Sequence, residues 1–392
     1  MKKADVTTLA RDALILRRWA LRAIATTSCD RCPDVAPRAW ELFLRAEHCA
    51  LPLRRKVLRL DHDLPADAAP ILAAIALEET QRVISARAQL RRVSQWAHSN
   101  NRKVVILKGA VAAGHDESAV DLSDIDLWIS PGTEDPLLEW LGTSGHSPKK
   151  HAAQHHHASR LTDQLVAVEV HHTIPYANLE PAWESRTLPL APESPRLHRL
   201  DPADHLWHVL IHASVQHIDR RGRLRDLLLL SHASSLCSDR DRDLVHARAT
   251  SHPATDVLHP MLQMAEAITA GQEPVDAFTT IAAARYLDTA TGPRHPAVRF
   301  LFSNAATTAA LYGIPGCKHH MARVLTSRDS VTPVPGLRWF QRRSPRFGGA
   351  IVLGLRFIKR AASLVLAAPR AHAARRLVRG LDYISVTKHL FS

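Results

Sequence analysis

Seven consecutive residues constrain this chain more than any others: Ser123-Asp124-Ile125-Asp126-Leu127-Trp128-Ile129. Acidic and apolar side chains alternate along them, and successive side chains of a strand point to opposite faces. Ile125, Leu127 and Ile129 therefore enter a core, while Asp124 and Asp126 share the other face. Two carboxylates at that spacing resist ionising together unless a cation lies between them. The stretch reads as a half-buried strand whose polar face calls for a cation, and a divalent metal is the simplest candidate. Just upstream, the apolar run Val104-Val105-Ile106-Leu107 ends in Lys108-Gly109. A glycine there lets the backbone approach a phosphate closely, and Lys108 adds a positive charge at the same turn.

The chain has 392 residues, room for two or three domains, each with a core. With 46% hydrophobic and 23% charged residues it has the composition of a folded protein. The net charge of +13 is unevenly spread. Residues 336–392 hold 12 of the 51 Lys/Arg but one of the 38 Asp/Glu, Asp382, so the basic character belongs to the tail. Met1-Lys2-Lys3 is followed by no apolar signal core, and no apolar run is long enough to span a membrane. The five cysteines are odd in number and irregularly spaced, which argues against a disulfide framework and for a reduced, cytoplasmic setting.

Four regions follow in order. Residues 1–100 read as helical, with helices over Leu14–Ile24 and Ala39–Ala50 and a long one from about Asp67 to His98. In the long helix Val83, Ala86, Leu90, Val93 and Ala97 step by three and four along one face. Cys29-x2-Cys32 with His48-Cys49 is half of a zinc pattern; with His48 and Cys49 adjacent on a helix, an ordinary connecting loop is the reading taken.

Residues 101–178 are a mixed core. They hold strands at Lys103–Leu107 and 124–129, a short helix at Asp135–Leu141, and a hairpin of His155–Leu161 with Leu165–His171 about Thr162-Asp163-Gln164. In its second strand Val166, Val168 and Val170 share one face, so Glu169 and His171 lie on the other, where Glu169 can serve as a third metal-site acid. Residues 179–334 read as a Pro-rich linker to about 198 followed by a helical bundle. The bundle starts at Asp201-Pro202, an N-cap followed by a helix-starting proline. Further helices are expected around 255–271, 274–287, 295–312 and 318–326. Residues 335–392 interleave Arg338, Arg342, Arg343 and Arg346 with Trp339, Phe340 and Phe347, a basic amphipathic tail suited to nucleic acid or an anionic membrane surface. The fold class is α+β, a small mixed sheet embedded between helical regions.

The ordered set of an apolar strand, a glycine, a spacer, an Asp-x-Asp strand and a later acid resembles the polymerase-β-like nucleotidyltransferase superfamily. More closely it resembles the bacterial family of uncharacterised nucleotidyltransferases. The residues that carry the likeness are Leu107-Lys108-Gly109-Ala110, Asp124-Ile125-Asp126-Leu127, Glu169-Val170-His171 and His212…His217…Asp226-Leu227, within roughly residues 65–235. The resemblance implies transfer of a nucleoside monophosphate from an NTP, ATP first among them, to an unidentified hydroxyl or phosphate of a small molecule, protein or RNA. It implies Mg²⁺ or Mn²⁺ held by Asp124, Asp126 and Glu169, the nucleotide contacted by Lys108, Gly109 and Ser123, and support from His171, His212 and Asp226. Two-metal chemistry of this kind activates the acceptor and stabilises the leaving oxygens. Two positions depart from the pattern: Ala110 stands where the superfamily usually has Ser, and no Arg precedes the Asp pair in Ala119-Val120-Asp121-Leu122. They motivate an alternative, a catalytically silent relative that binds a nucleotide or a partner. Plain ion pairing of Glu169, and His208 and His212 as core histidines, are the structural alternatives.

Overall fold

The computed structural model describes residues 3–26, 31–60, 63–113, 120–129, 134–145, 147–148, 158–162, 166–171, 186–191, 195–217, 220–291 and 368–381. The chain divides into two compact units, Asp12–Ala277 and a second made of Met1–Arg11 with Phe278–Ser392. The site lies in the first.

Four helices come first: α1 (Lys3–Ala25), α2 (Pro37–Glu47), α3 (Ala50–Arg59) and α4 (Ala68–Ser99). Trp40 is fully buried and packs edge-on against both Trp19 and Phe43. The expectation that His48 and Cys49 lie on a helix is corrected. His48 adopts a left-handed conformation (φ 52°) that ends α2, and Cys49 is the residue before α3. Cys32 and Cys49 are buried free thiols, and Cys29 lies outside the described residues. Glu79 of α4 holds the start of α3: the N–H groups of Ala50 and Leu51 donate to its carboxylate at 3.2 and 2.6 Å. Burial, then the charge of Asp121, push the Glu79 carboxyl up to about 7 despite those two donors.

The strands are β1 (Val104–Leu107), β2 (Asp124–Trp128), β3 (Ser147–Pro148), β4 (Ala158–Thr162), β5 (Ala167–His171), β6 (Thr187–Pro189) and β7 (Leu197–Leu200). Among the described residues they form one mixed sheet in the order β3-β4-β5-β2-β1-β7-β6. The centre is β2, antiparallel to β1 and parallel to β5. The expected hairpin pairing appears as antiparallel β4 and β5, with its turn residues and His155–His157 outside the described residues. The stretch read as a Pro-rich linker is corrected in part, since it contributes β6 and β7, and β7 runs parallel to β1.

The alternation read from the sequence separates the two sheet faces. Val104, Ile106, Ile125, Leu127, Val168 and Val170 pack with Ala86, Leu90, Val93, Trp96 and Ala97 of α4 in one buried cluster. Each large side chain removed from water there contributes roughly 1.5–3 kcal/mol. That face also takes α5 (Gly109–Ala113) and α6 (Glu134–Thr143), the helix expected near Asp135–Leu141.

Helices α7 (Pro202–Ile211), α8 (Leu224–Ser235), α9 (Asp239–Ser251) and α10 (Thr255–Thr269) complete the unit. Asp201 caps α7 as expected, accepting from the Asp204 N–H at 2.9 Å, with Pro202 at the first position. The last turn of α7 continues into a π-helical turn over His212–Gln216. The start of α8 is fixed from a distance. Glu47 accepts from the Leu224 N–H at 2.7 Å and from Arg17 Nη1 at 3.0 Å, while Arg17 Nη2 donates to the Gly222 carbonyl at 2.7 Å. Arg17 and Glu47 are both buried.

In the second unit, the described residues include α11 (Thr279–Ala290) and a helix over 368–381, where Arg370 pairs with Asp288 at 2.6 Å. The helix expected near 274–287 thus starts later, at Thr279. Those expected at 295–312 and 318–326, and the Arg/Trp/Phe segment of the tail, lie outside the described residues. No described helix is long and apolar enough to cross a membrane.

Candidate active site

Register builds the site. Asp126 lies beside Leu107 of β1 on one side and Glu169 of β5 on the other. Because cross-strand neighbours share a face, Asp124, Asp126, Glu169 and His171 all emerge on the face away from α4. Lys108, the first residue after β1, takes a left-handed backbone conformation (φ 53°). Such a conformation costs a residue with a Cβ about 1–2 kcal/mol. It accompanies the turn of the chain from β1 into α5, where the Lys108 side chain meets the carboxylate face.

At the centre is Asp126, 4% exposed. Its Oδ1 receives Lys108 Nζ at 2.8 Å and His171 Nε2 at 2.7 Å. Burial alone would push this carboxyl up, but the Lys108 charge and the His171 hydrogen bond outweigh burial and hold it well below the usual carboxylate range. An ionised carboxylate only accepts, so His171 Nε2 carries the hydrogen of that bond. Glu169 behaves oppositely. Burial, then the charges of Asp126 and Asp124, push its carboxyl up, against the opposing pull of Lys108 and His171. His171 Nε2 is 3.9 Å from Glu169 Oε2. Asp124, half-buried, accepts from the exposed Ser123 hydroxyl at 3.2 Å.

Helices α7 and α8 and the π-turn face this group. A crevice of about 20 Å³ is lined by Lys108, Gly109, Asp124, Asp126, His212, Arg225 and Asp226, together with Leu122 and Leu229. That volume suits a water-sized group, an ion or a phosphate oxygen, so a nucleoside has to lie outside it. Gly109 is closely packed: a Cβ there would lie 2.6 Å from Leu122 Cδ2 and 3.6 Å from Leu229 of α8, so the end of the Leu122 side chain would have to move. His208 and His212 stay neutral, each driven well below the ordinary imidazole value first by burial and next by the Lys108 charge. His208 is a core histidine, 2% exposed, whereas His212 reaches the crevice and meets His217 edge-on at 4.5 Å.

Asp226 is buried. Burial would raise its carboxyl, but the charges of Arg225, Arg223 and Arg220 outweigh it and hold it down. The structure thus gathers Lys108, Gly109, Asp124, Asp126, Glu169, His171, His212 and Asp226 at one site, with Ser123 at its edge.

Two features escaped the sequence. Arg225, which no sequence motif singles out, lines the crevice. Behind Ser123, Asp121 is 1% exposed, hydrogen-bonded to His48 Nδ1 at 2.6 Å and ion-paired to Arg82 Nε at 2.5 Å, with burial holding the His48 imidazole below its ordinary value. Burial would raise the Asp121 carboxyl, but its hydrogen bonds from His48 and Arg82 bring it down to about 2. No local signal marks either feature, because the partners lie far away in sequence.

The donor set fits a hard divalent cation. Asp126, Glu169 and His171 bring their polar atoms within 4.8 Å of one another, and with His171 Nε2 donating to Asp126 the two carboxylates are the groups available to a cation. Asp124 adds a further carboxylate on the same face. Oxygen-rich sites of this kind suit Mg²⁺ and Mn²⁺. An ion bound there competes with Lys108 for Asp126. Comparison with known families matches residues 38–270 to the family described as uncharacterised nucleotidyltransferase. No curated protein and no solved structure matches the chain.

Proposed function

The chain belongs to the uncharacterised nucleotidyltransferase family, and on that premise we propose that it transfers a nucleoside monophosphate from an NTP to an acceptor hydroxyl or phosphate with the help of divalent metal. The observation that carries this reading is the convergence of Asp126 and Glu169, at the middle of β2 and β5, with His171 at the end of β5 and Lys108 just after β1. Asp124, Asp126 and Glu169 hold Mg²⁺ or Mn²⁺, and ATP is the first NTP to test. The bound ions supply Lewis-acid stabilisation of the phosphate oxygens as charge builds on them.

The protein's own groups do the rest. Lys108 leaves its ion pair with Asp126 to meet a phosphate oxygen, and Gly109 allows the triphosphate close to the backbone. His171 donates to Asp126 and keeps that carboxylate oriented. Glu169 accepts the proton of the acceptor hydroxyl as its oxygen attacks the α-phosphorus. The bond from the α-phosphorus to the pyrophosphate oxygen breaks, and pyrophosphate departs with the electron pair.

The test incubates purified protein with labelled ATP, CTP, GTP or UTP, Mg²⁺ or Mn²⁺, and a cell extract as the source of acceptor. Labelled product with wild type and a loss of roughly 10³-fold in Asp126→Asn is the expected result, on the scale of removing a central electrostatic stabiliser. Labelling that survives Asp126→Asn undiminished overturns the assignment. One observation favours a second reading, a silent relative: Lys108 and His171 already satisfy Asp126 at 2.8 and 2.7 Å. Nucleotide binding without turnover by wild type, across all four NTPs and both metals, would select it.

A further inference from the structure

We infer that Arg225 is a phosphate-recognition residue of this site, the group by which the protein distinguishes a nucleoside triphosphate from a monophosphate. The inference rests on the nucleotidyl-transfer reading and adds a residue to it.

Three observations carry it. The first is position. Arg225 lies in the first turn of α8 and lines the same crevice as Lys108, Gly109, Asp124 and Asp126. The second is its state. Arg225 is 7% exposed, yet its Nε has no hydrogen-bond partner among the described residues. Its Nε lies 3.4 Å from Asp226 Oδ1, at the long edge of hydrogen bonding. A guanidinium presents five donors in a planar fork suited to carboxylate or phosphate, and one long contact uses little of that capacity. The third is rigidity. The start of α8 is fixed by Glu47 at the Leu224 N–H and by Arg17 at the Gly222 carbonyl, so Arg225 sits on a held element.

Charge balance points the same way. The crevice brings Asp124, Asp126 and Asp226 against two lining cations, Lys108 and Arg225. Lys108 is closely engaged with Asp126 at 2.8 Å. Before Lys108 is released to a phosphate, Arg225 is the lining cation less closely held by a carboxylate, and its planar fork can hold two oxygens at once. A residue that meets only the β- or γ-phosphate affects triphosphate binding and leaves monophosphate binding alone.

The experiment measures binding of each of the four NTPs and its own monophosphate, with Mg²⁺, to wild type, Arg225→Met and Arg225→Lys. Inorganic tripolyphosphate serves as a probe independent of the base, and thermal unfolding reports the fold. For the NTP that wild type binds best, Arg225→Met is expected to weaken NTP and tripolyphosphate on the order of 10- to 100-fold and the monophosphate less than about threefold, with Arg225→Lys intermediate. Equal loss for triphosphate and monophosphate, or no loss in a folded Arg225→Met, overturns the role of Arg225 while the nucleotidyl reading stands. If Arg225→Met does not fold, Arg225→Lys decides. Unchanged discrimination by the lysine variant, which lacks the fork, counts against the inference. If wild type binds no NTP, the nucleotidyl reading fails and this inference falls with it.

Discussion

Replacing Asp121 by Asn tests how firmly the segment leading into the Asp-x-Asp strand is held. The Asp121 carboxyl titrates at about 2 in place of the ordinary 3.8, with its charge held by His48 and Arg82. A folded value below the unfolded one contributes stability above the unfolded value, and that contribution disappears as pH falls through the folded one. The difference of roughly 1.8 units corresponds to about 2.4 kcal/mol at neutral pH. By the same linkage about 1.3 kcal/mol is left at pH 3 and about 0.4 at pH 2.

Glu79 complicates the neutral range. Its carboxyl is raised to about 7 from an ordinary 4.5, with Asp121 as one cause. Its sign is opposite: stability complete below about 4.5 is lost as pH rises through 7. Asp121→Asn relieves part of that cost and also removes the hydrogen bond that partly offsets the burial of His48, so the comparison is confined to pH 2.5 to 4.5, where Glu79 stays protonated in the folded wild type. Urea unfolding followed by tryptophan fluorescence suits the assay, because seven of the eight Trp lie within Asp12–Ala277. The stability gap between wild type and Asp121→Asn should narrow by about 1 kcal/mol or more as pH falls from 4.5 to 2.5. A gap that stays flat or widens refutes the assignment of the depressed carboxyl to the His48 and Arg82 pairs.

Three further outcomes are expected. His171→Gln, which loses the donor that orients Asp126, should weaken Mn²⁺ binding on the order of 10- to 100-fold by titration. Electron spin-echo spectra of the wild-type Mn²⁺ protein should show no directly bonded nitrogen, and strong ¹⁴N coupling would make His171 a ligand instead. The basic segment 336–392 is proposed to contact polyanions, so full-length protein should bind RNA or anionic vesicles with affinity falling steeply as salt rises; salt-independent binding, or none, removes that role.

What could be read in advance follows from what is local. Alternation along 124–129 and 166–171 gave both the core face and the carboxylate face, and helical spacing in α4 identified what covers the core. Glu169 and His171 were legible for the same reason, since a strand with one wholly apolar face shows where its polar residues emerge. The strands β6 and β7 were not, because three or four residues within a Pro-rich stretch carry too little periodicity. Nor does any local pattern place Arg225 in the crevice, pair His48 with Asp121 across 73 positions, or set Lys108 in a left-handed conformation. Those depend on packing between distant segments. The π-turn at His212–Gln216 belongs with them, an extra residue in a helix of the kind that recurs beside functional groups.

The anchoring of α8 sets a lower limit on how far the protein can be shortened. Glu47 Oε2 answers to two masters, Arg17 and the Leu224 N–H, and Arg17 also holds Asp276 at 2.7 Å. A fragment spanning only residues 38–270 would lack Arg17 and Asp276 alike and take the Arg17 guanidinium away from the buried Glu47 carboxylate, a loss of about 3–5 kcal/mol where such a pair is broken. For the helix that carries Arg225 and Asp226, the first helix of the chain is thus a foundation, and biochemical work on this site has to begin upstream of it.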